Sequence, residues 1–253
     1  MTDVLAVEEP LEIRLGYTDA RKGRLHKSLS ITMRTPGDDI NLACGFLYSE
    51  SIITTFEQIE SIDDSCENSI RVELKADVVF DMARLDRHFY TTSSCGVCGK
   101  ASLEALSTSG FDALRDNDFT LPLNQLCNLG AALREQQGLF RQTGGCHGTA
   151  LFDRNGNILA VTEDVGRHNA MDKLVGSLLR SNQLPLSDKG ILVSGRASFE
   201  LLQKALAAGC PMLVAVGAPS SLAVELAQEY NITLVGFLGK MNCNVYHNPD
   251  AIT

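Results

Sequence analysis

"GILVSGRASFELLQKALAAGCPMLVAVGAPSSLAVELAQEYNITLVGFLG", residues 190–239, has a plain grammar. Three short apolar runs, "GILVSG", "PMLVAVGA" and "ITLVGFLG", are each too short for a helix and lack polar alternation. They read as strands buried on both faces. Between them stand "RASFELLQKALAAG" and "SSLAVELAQEY", whose apolar residues recur at helical spacing, the second opening on a serine suited to capping. The order βαβαβ predicts a parallel sheet covered by helices. Upstream, "TALFD" and "ILAVTED" are joined by the turn residues "RNGN" and form a hairpin, which makes the sheet mixed. "GRHNAMDKLVGSLLR" follows as a helix. "LNQLCNLGAALREQQGLFRQTGG" reads as one amphipathic helix ending at a glycine pair.

The first part of the chain differs. "PLEIRLGY" and "LSITMRT" alternate apolar and polar residues like half-buried strands. "GDDINLACGFLYSESI" is a helix that Asp38 or Asp39 is placed to cap. "SIRVELKADVVF" supplies one or two strands, and "DMARLDRHFYTT" and "ASLEALSTSG" flank a cysteine-containing loop. Periodicity and composition break across "FDALRDNDFTLPL". The expected organisation is α/β: an α+β subdomain over 1–112 that ends in the cysteine loop, then a three-layer domain with a mixed sheet over 113–253.

The 253 residues carry a net charge of -9, with 44% hydrophobic and 21% charged residues. That balance is ordinary for a soluble globular protein and opposes sequence-independent binding of nucleic acid. No apolar run is long enough to cross a membrane. "MTDVLAVEEPLEIRLGY" lacks the basic start and apolar run of a secretory signal, so the cytoplasm is expected. Of the eight cysteines, Cys44, Cys127 and Cys210 sit in apolar or helical contexts and read as small buried hydrophobes. Cys66, in "DDSCEN", reads as an exposed turn residue.

Loops at the carboxyl ends of the predicted strands collect glycine and positive charge. They are "EDVGRHN" (163–169), "SGRAS" (194–198), "GAPSS" (217–221) and "GKMN" (239–242). Ligands of open α/β sheets bind at this edge, and helix N-termini there favour anions. Gly166, Gly195 and Gly217 would admit a phosphate close to the backbone. Arg167, Arg196 and Lys240 would supply charge. Each loop alone reads equally well as a tight turn with solvated charges; three on one edge favour an anion or nucleotide site. None is a P-loop or a G-x-G-x-x-G. His168 opens a helix and could donate to a phosphate or brace the turn. His147 follows Cys146, but no second CxxC lies near to complete a zinc site.

"SSCGVCGK" (93–100) places Cys95 and Cys98 among small residues beside Lys100. One such pair is half of a structural zinc site, and a redox disulfide or a sulfur-carrying thiol are equally consistent with it. At this point the chain resembles the FdhD family of formate dehydrogenase accessory proteins. The resemblance rests on "SSCGVCGK", "TGGCHGTAL", "TEDVGRHNAMDKLVG", "VSGRASFELLQKA", "VAVGAPSSLAVELA" and "GFLGKMNCNVYHNP", in that order.

The resemblance implies a sulfur carrier that accepts sulfur from a cysteine desulfurase as a persulfide. The sulfur then goes to the molybdenum (or tungsten) bis-(molybdopterin guanine dinucleotide) cofactor of formate dehydrogenase. It also implies a homodimer, a C-terminal half similar to the cytidine deaminase fold, and a pocket for the guanine nucleotide end, which GDP would mimic. The persulfide cysteine carries over to Cys95 and its companion to Cys98. The cofactor-binding stretch carries over to Phe237, Leu238, Gly239, Lys240, Met241 and Asn242. No metal ligands are implied: the deaminase H-x-E is absent, with Thr149 two residues after His147. Cys146 departs from the family pattern. A thiol–disulfide oxidoreductase using the same cysteines, or a chaperone that only holds the cofactor, are the alternatives.

Overall fold

The computed structural model describes residues 3–19, 21–78 and 117–253. Two sheets stand side by side, joined through a pair of helices. The first has four strands, β1 (Glu9–Asp19), β2 (Gly23–Arg34), β3 (Ile59–Cys66) and β4 (Ser69–Leu74), in the order β2-β1-β4-β3. β1 runs antiparallel to β2 and parallel to β4. Alternation does the work here: Leu11, Ile13 and Leu15 of β1 and Ile70, Val72 and Leu74 of β4 point to one buried face. Helix α1 (Asp39–Ser49) covers it with Leu42, Ala43 and Leu47.

The second sheet has six strands: β5 (His147–Asp153), β6 (Ile158–Asp164), β7 (Lys189–Val193), β8 (Met212–Ala215), β9 (Thr233–Gly236) and β10 (Asn244–His247). Their order is β10-β9-β8-β7-β5-β6. β7, β8 and β9 are parallel, whereas β5 is antiparallel to both neighbours and β10 to β9. The parallel, helix-covered core expected from residues 190–239 and the mixed sheet expected from the hairpin before it are therefore present. Its two faces bury alternate residues of the same strands. Ile191, Val193, Leu213, Ala215 and Leu234 meet α4 (Arg167–Arg180), α5 (Phe199–Ala207) and α6 (Ser221–Tyr230). Leu192, Met212, Val214 and Val235 meet α2 (Leu123–Gln136). The Ser220 hydroxyl caps α6 by accepting from the Ala223 N–H at 3.3 Å. The "RNGN" hairpin turns at Gly156, φ +75°, with the Asp153 carboxylate accepting from the Asn155 and Asn157 amides, each at 2.9 Å.

Several local expectations change. Asp38 precedes α1 in a left-handed conformation and makes no capping bond. Asp39 instead accepts from the buried Arg34, at 3.0 Å from Nε and 2.9 Å from Nη2. The single helix expected over 123–145 is two, because the chain bends at Gln137 before α3 (Gly138–Thr143). Two strands appear that no periodicity announced. Both β3 and β10 are edge strands that offer little apolar signal: β3 buries Ile59 alone, and β10 packs only the partly buried Val245 and Tyr246. The expected boundary at 112/113, and with it Cys95 and Cys98, lies outside the described residues.

α1 and α4 touch backbone to backbone, which joins the two sheets. A Cβ on Gly45 would sit 1.9 Å from the Asp172 carbonyl oxygen, and one on Gly176 would sit 1.8 Å from that of Asn41. Beside this crossing lies a buried polar cluster. Lys204 of α5 donates to the Asp172 carboxylate at 2.8 and 2.9 Å, and Ser49 of α1 donates to it at 3.1 Å.

Candidate functional site

Beyond their carboxyl ends, β7, β8 and β9 do not part into separate loops. The Gly217 N–H donates to the Gly195 carbonyl at 2.8 Å, and the Phe237 N–H to the Gly217 carbonyl at 3.0 Å. Ala197 N–H donates to Ala218 at 3.1 Å, and Leu238 N–H to Ala215 at 3.1 Å. The structure thus brings Gly195, Arg196, Gly217 and Phe237 into one row. The glycines serve close packing: a Cβ on Gly217 would fall 3.0 Å from the Gly195 carbonyl oxygen and 3.1 Å from Arg196. Arg196 is exposed.

β5 runs against β7, so its first residue reaches the same edge. A Cβ on Gly195 would meet His147 Nδ1 at 3.3 Å and Arg167 Cδ at 3.9 Å. Burial, and then the neighbouring Arg167 and His168, push the His147 pKa below its ordinary value, so its imidazole is neutral at neutral pH.

A cavity of about 250 Å³ opens here between the sheet edge and the α2–α3 bend. Leu133, Phe140 and Val216 give it apolar walls, and Gly130, Gly144 and Gly145 leave them thin. Gln137, His147 and Ser194 are its polar lining together with Arg134, whose guanidinium lies 5.7 Å from the Phe140 ring centroid. Glu163 of β6 holds this wall in place: its carboxylate accepts from the Leu139 and Phe140 N–H groups, at 2.9 and 2.8 Å, at the start of α3.

Two buried donors at this edge have no hydrogen-bond partner among the described residues. One is Nε2 of Gln137, a residue 4% exposed; the other is Nε of Arg167. A buried unpaired donor costs about 1–3 kcal/mol, so each of these groups calls for a partner that water or a ligand can supply. The Ser194 hydroxyl adds a third: it accepts from Gly148 N–H at 2.9 Å, which leaves its own proton free to donate. The site can hold a flat polar ring inside and an anion at the rim.

The other expected residues separate by role. Gly166 precedes α4, and its N–H donates to Asp164 at 2.8 Å; a Cβ there would strike Asn169 at 2.8 Å. His168 sits 3.2 Å from the Ser198 hydroxyl and 2.9 Å from the Glu200 carboxylate, bracing α4 against α5. Asp164, Asn169 and Lys173 are structural. Lys173 pairs with Asp164 at 2.7 Å and donates to the Thr35 carbonyl at 2.9 Å, while Asn169 donates to the Met33 carbonyl at 2.7 Å. They tie the "EDVGRHN" loop to the end of β2.

The stretch from Phe237 to Asn242 divides. Phe237 joins the row of loops with φ +51°, and Leu238 is buried. Gly239 N–H donates to the Asn242 carbonyl at 2.8 Å, closing a turn. Lys240 and Met241 line a second, open groove of about 560 Å³ with Leu123, Asn124, Cys127 and Asn128 of α2. Cys127 is therefore half-exposed, unlike Cys44 and Cys210, whose burial pushes their thiols up to about 11 and about 12. Gln137 carried no signal in the sequence, because its place at the cavity arises only from the helix bend. Among the described residues, no helix is long and apolar enough to cross a membrane.

A model of the FdhD/NarQ family matches residues 6–253. The chain is 48% identical to the sulfur carrier protein FdhD of Streptomyces avermitilis over 260 residues, covering 99% of this chain and 89% of that one. It is 39% identical to the protein of the same name from Sulfolobus acidocaldarius, covering 99% and 91%. A crystal structure described as a formate dehydrogenase accessory protein from Desulfotalea psychrophila superposes with a TM-score of 0.73 over 100% of this chain and 92% of that one. At 24% identity it shows the shared fold.

Proposed function

Because this chain belongs to the FdhD/NarQ family, we propose that it is a cytoplasmic sulfur carrier serving formate dehydrogenase. Its Cys95 thiolate attacks the outer sulfur of a persulfide on a cysteine desulfurase. One S–S bond forms as the other breaks, which leaves the donor thiolate and a Cys95 persulfide. The Cys98 thiolate then attacks the inner sulfur of that persulfide: a Cys95–Cys98 S–S bond forms, the bond to the outer sulfur breaks, and that sulfur leaves as hydrosulfide. The recipient is a substrate, the molybdenum bis-(molybdopterin guanine dinucleotide) cofactor, held while sulfur is added to its metal. The protein acts as a homodimer.

One observation supports the nucleotide end of this reading: the unpartnered Gln137 amide lines a small cavity walled by Leu133, Phe140 and Val216, and the unpartnered Arg167 Nε belongs to a side chain beside Gly195 and the lining residue His147. A guanine base is flat and rich in acceptors, and its phosphates are anionic. The Gln137 amide and Ser194 hydroxyl would hold the base, and Arg167 and Arg196 the phosphates.

The test is to incubate the protein with a cysteine desulfurase and cysteine and to map mass by peptide. A reducible gain of one sulfur on the Cys95 peptide is expected. A Cys95→Ala variant that still activates formate dehydrogenase fully would overturn the carrier role and leave a cofactor chaperone. A Cys95–Cys98 disulfide that cycles with thioredoxin, without sulfur gain, would leave an oxidoreductase.

A further inference from the structure

Residues 123–143 contain no proline and read in sequence as one amphipathic helix, yet the chain breaks at Gln137. Gly138 weakens a helix but does not forbid one. An unbroken helix would send the Leu139 N–H to the Glu135 carbonyl and the Phe140 N–H to that of Gln136. Both groups instead donate to one carboxylate, Leu139 to Oε2 of Glu163 at 2.9 Å and Phe140 to Oε1 at 2.8 Å. The last bond of α2 runs from Gln137 N–H to the Leu133 carbonyl at 3.0 Å, and the ladder resumes with Arg141 N–H on the Gln137 carbonyl at 3.2 Å. Between them Gln137 has φ -77° and ψ 87°, outside the helical region. Glu163 thus does from β6 what a capping side chain does from the position before a helix: it takes the second and third N–H groups of α3. The break decides what the cavity contains. It lays the Gln137 side chain over Gly148, where a Cβ would fall 2.6 Å from Nε2, and makes Phe140, Gly144 and Gly145 part of the wall.

We propose that Glu163 is a positioning residue of this site: its carboxylate breaks a helix that the sequence would otherwise continue, and the break places the Gln137 amide in the cavity. Without the carboxylate, the Leu139 and Phe140 N–H groups regain acceptors only if α2 runs on through α3. That movement swings α3 off the sheet edge and withdraws Gln137. The next residue of β6, Asp164, faces the other way and accepts from Gly166 N–H at 2.8 Å, in the loop that carries Arg167. Two consecutive carboxylates therefore hold the two sides of one site. The bearing of Glu163 on ligand binding rests on the nucleotide-site reading above; the broken helix itself does not.

The experiment reads the wall through Cys146, a cavity-lining residue 5% exposed. Tryptic peptide 142–154 carries that cysteine alone, so its alkylation by iodoacetamide in the native full-length protein is followed by mass. In Glu163→Ala the rate should rise about tenfold as the wall opens, and GDP affinity should fall about tenfold. Glu163→Gln keeps one acceptor oxygen and should shift both about threefold in the same directions; it takes the place of the alanine variant if that one fails to fold. The rescue is Gly138→Pro. Residue 138 is the first of α3, where the missing N–H and fixed φ of proline are tolerated, whereas inside an unbroken helix proline removes a bond and clashes. A Cβ there would have its nearest contact outside its own helix at 4.0 Å, with Oε2 of Glu163. Gly138→Pro alone should move neither readout, and adding it to the Glu163 variant should restore both. An alkylation rate that ignores the loss of Glu163, that proline fails to restore, or that proline alone raises would overturn the proposal. Gln137→Leu/Glu163→Ala should bind GDP no more weakly than Gln137→Leu, and additive losses would show that Glu163 acts elsewhere. The thiol readout needs no nucleotide, so a wild-type protein that does not bind GDP would sink the site reading and leave the broken helix standing.

Discussion

The crossing of α1 and α4 admits a sharp test, Gly176→Ala. In a solvent-facing helix interior this change stabilises by about 1 kcal/mol, since alanine is the better helix former. Here the new methyl would sit 1.8 Å from the Asn41 carbonyl oxygen, against an ordinary contact of 3.4 Å or more. The helices must part by about 1.5 Å, and a gap of that size forfeits most of the dispersion contact along the crossing. It also stretches the 3.1 Å bond from Ser49 to the buried Asp172 beyond reach, at about 1 kcal/mol or more. With overpacking at about 1–3 kcal/mol, the net expectation is a loss of about 3 kcal/mol, or roughly 6–12 °C in Tm for a chain of this size. Urea unfolding followed by circular dichroism measures it. The double variant Gly45→Ala/Gly176→Ala should cost little more than either single one, because one displacement makes room for both methyls. A midpoint that rises in Gly176→Ala, or single-variant losses that simply add, would refute the backbone contact.

Gln137→Leu removes an unpartnered buried amide, so stability should hold or rise by up to about 1 kcal/mol, while GDP affinity falls about tenfold in calorimetry; unchanged affinity would remove Gln137 from the site. Lys204→Met strands the Asp172 carboxylate and should cost about 3–5 kcal/mol, with Asp172→Leu/Lys204→Met recovering most of it; a double variant no better than the single would argue against the pair. His147 and His247 both have pKa values lowered by burial from 6.5. Below about pH 6.5 the unfolded chain binds protons that these folded histidines refuse, so stability present at pH 7 declines as pH falls toward 5.5. His147→Gln should flatten that slope in thermal melts, and an identical slope would contradict the lowered pKa.

Residues 190–239 are legible in the sequence because buried parallel strands are contiguous apolar runs and their helices carry one apolar stripe. β3 escaped because "IESIDDSC" is an acidic edge strand, with Ile59 alone of its residues buried. The glycine loops announced the edge where the cleft lies. Within and just after one of these loops, Asp164, Asn169 and Lys173 carry no sequence signal of their role: they bury one another, and only tertiary contact with Thr35 and Met33 reveals it. Gln137 was silent for the converse reason. A glutamine at a helix end is unremarkable until a bend places it inside a cavity.

The hydrogen bonds that link Gly195 to Gly217 and Gly217 to Phe237 bear on how this site can change. Each loop finds part of its backbone bonding in the next, so none is a module. A graft that swaps one loop from a relative would leave its neighbours short of partners, and an insertion in any one would break the row. Ligand preference at this edge can be re-engineered by side-chain substitution or by exchanging all three loops together, and the shared ladder makes the triplet the smallest unit that can be transplanted.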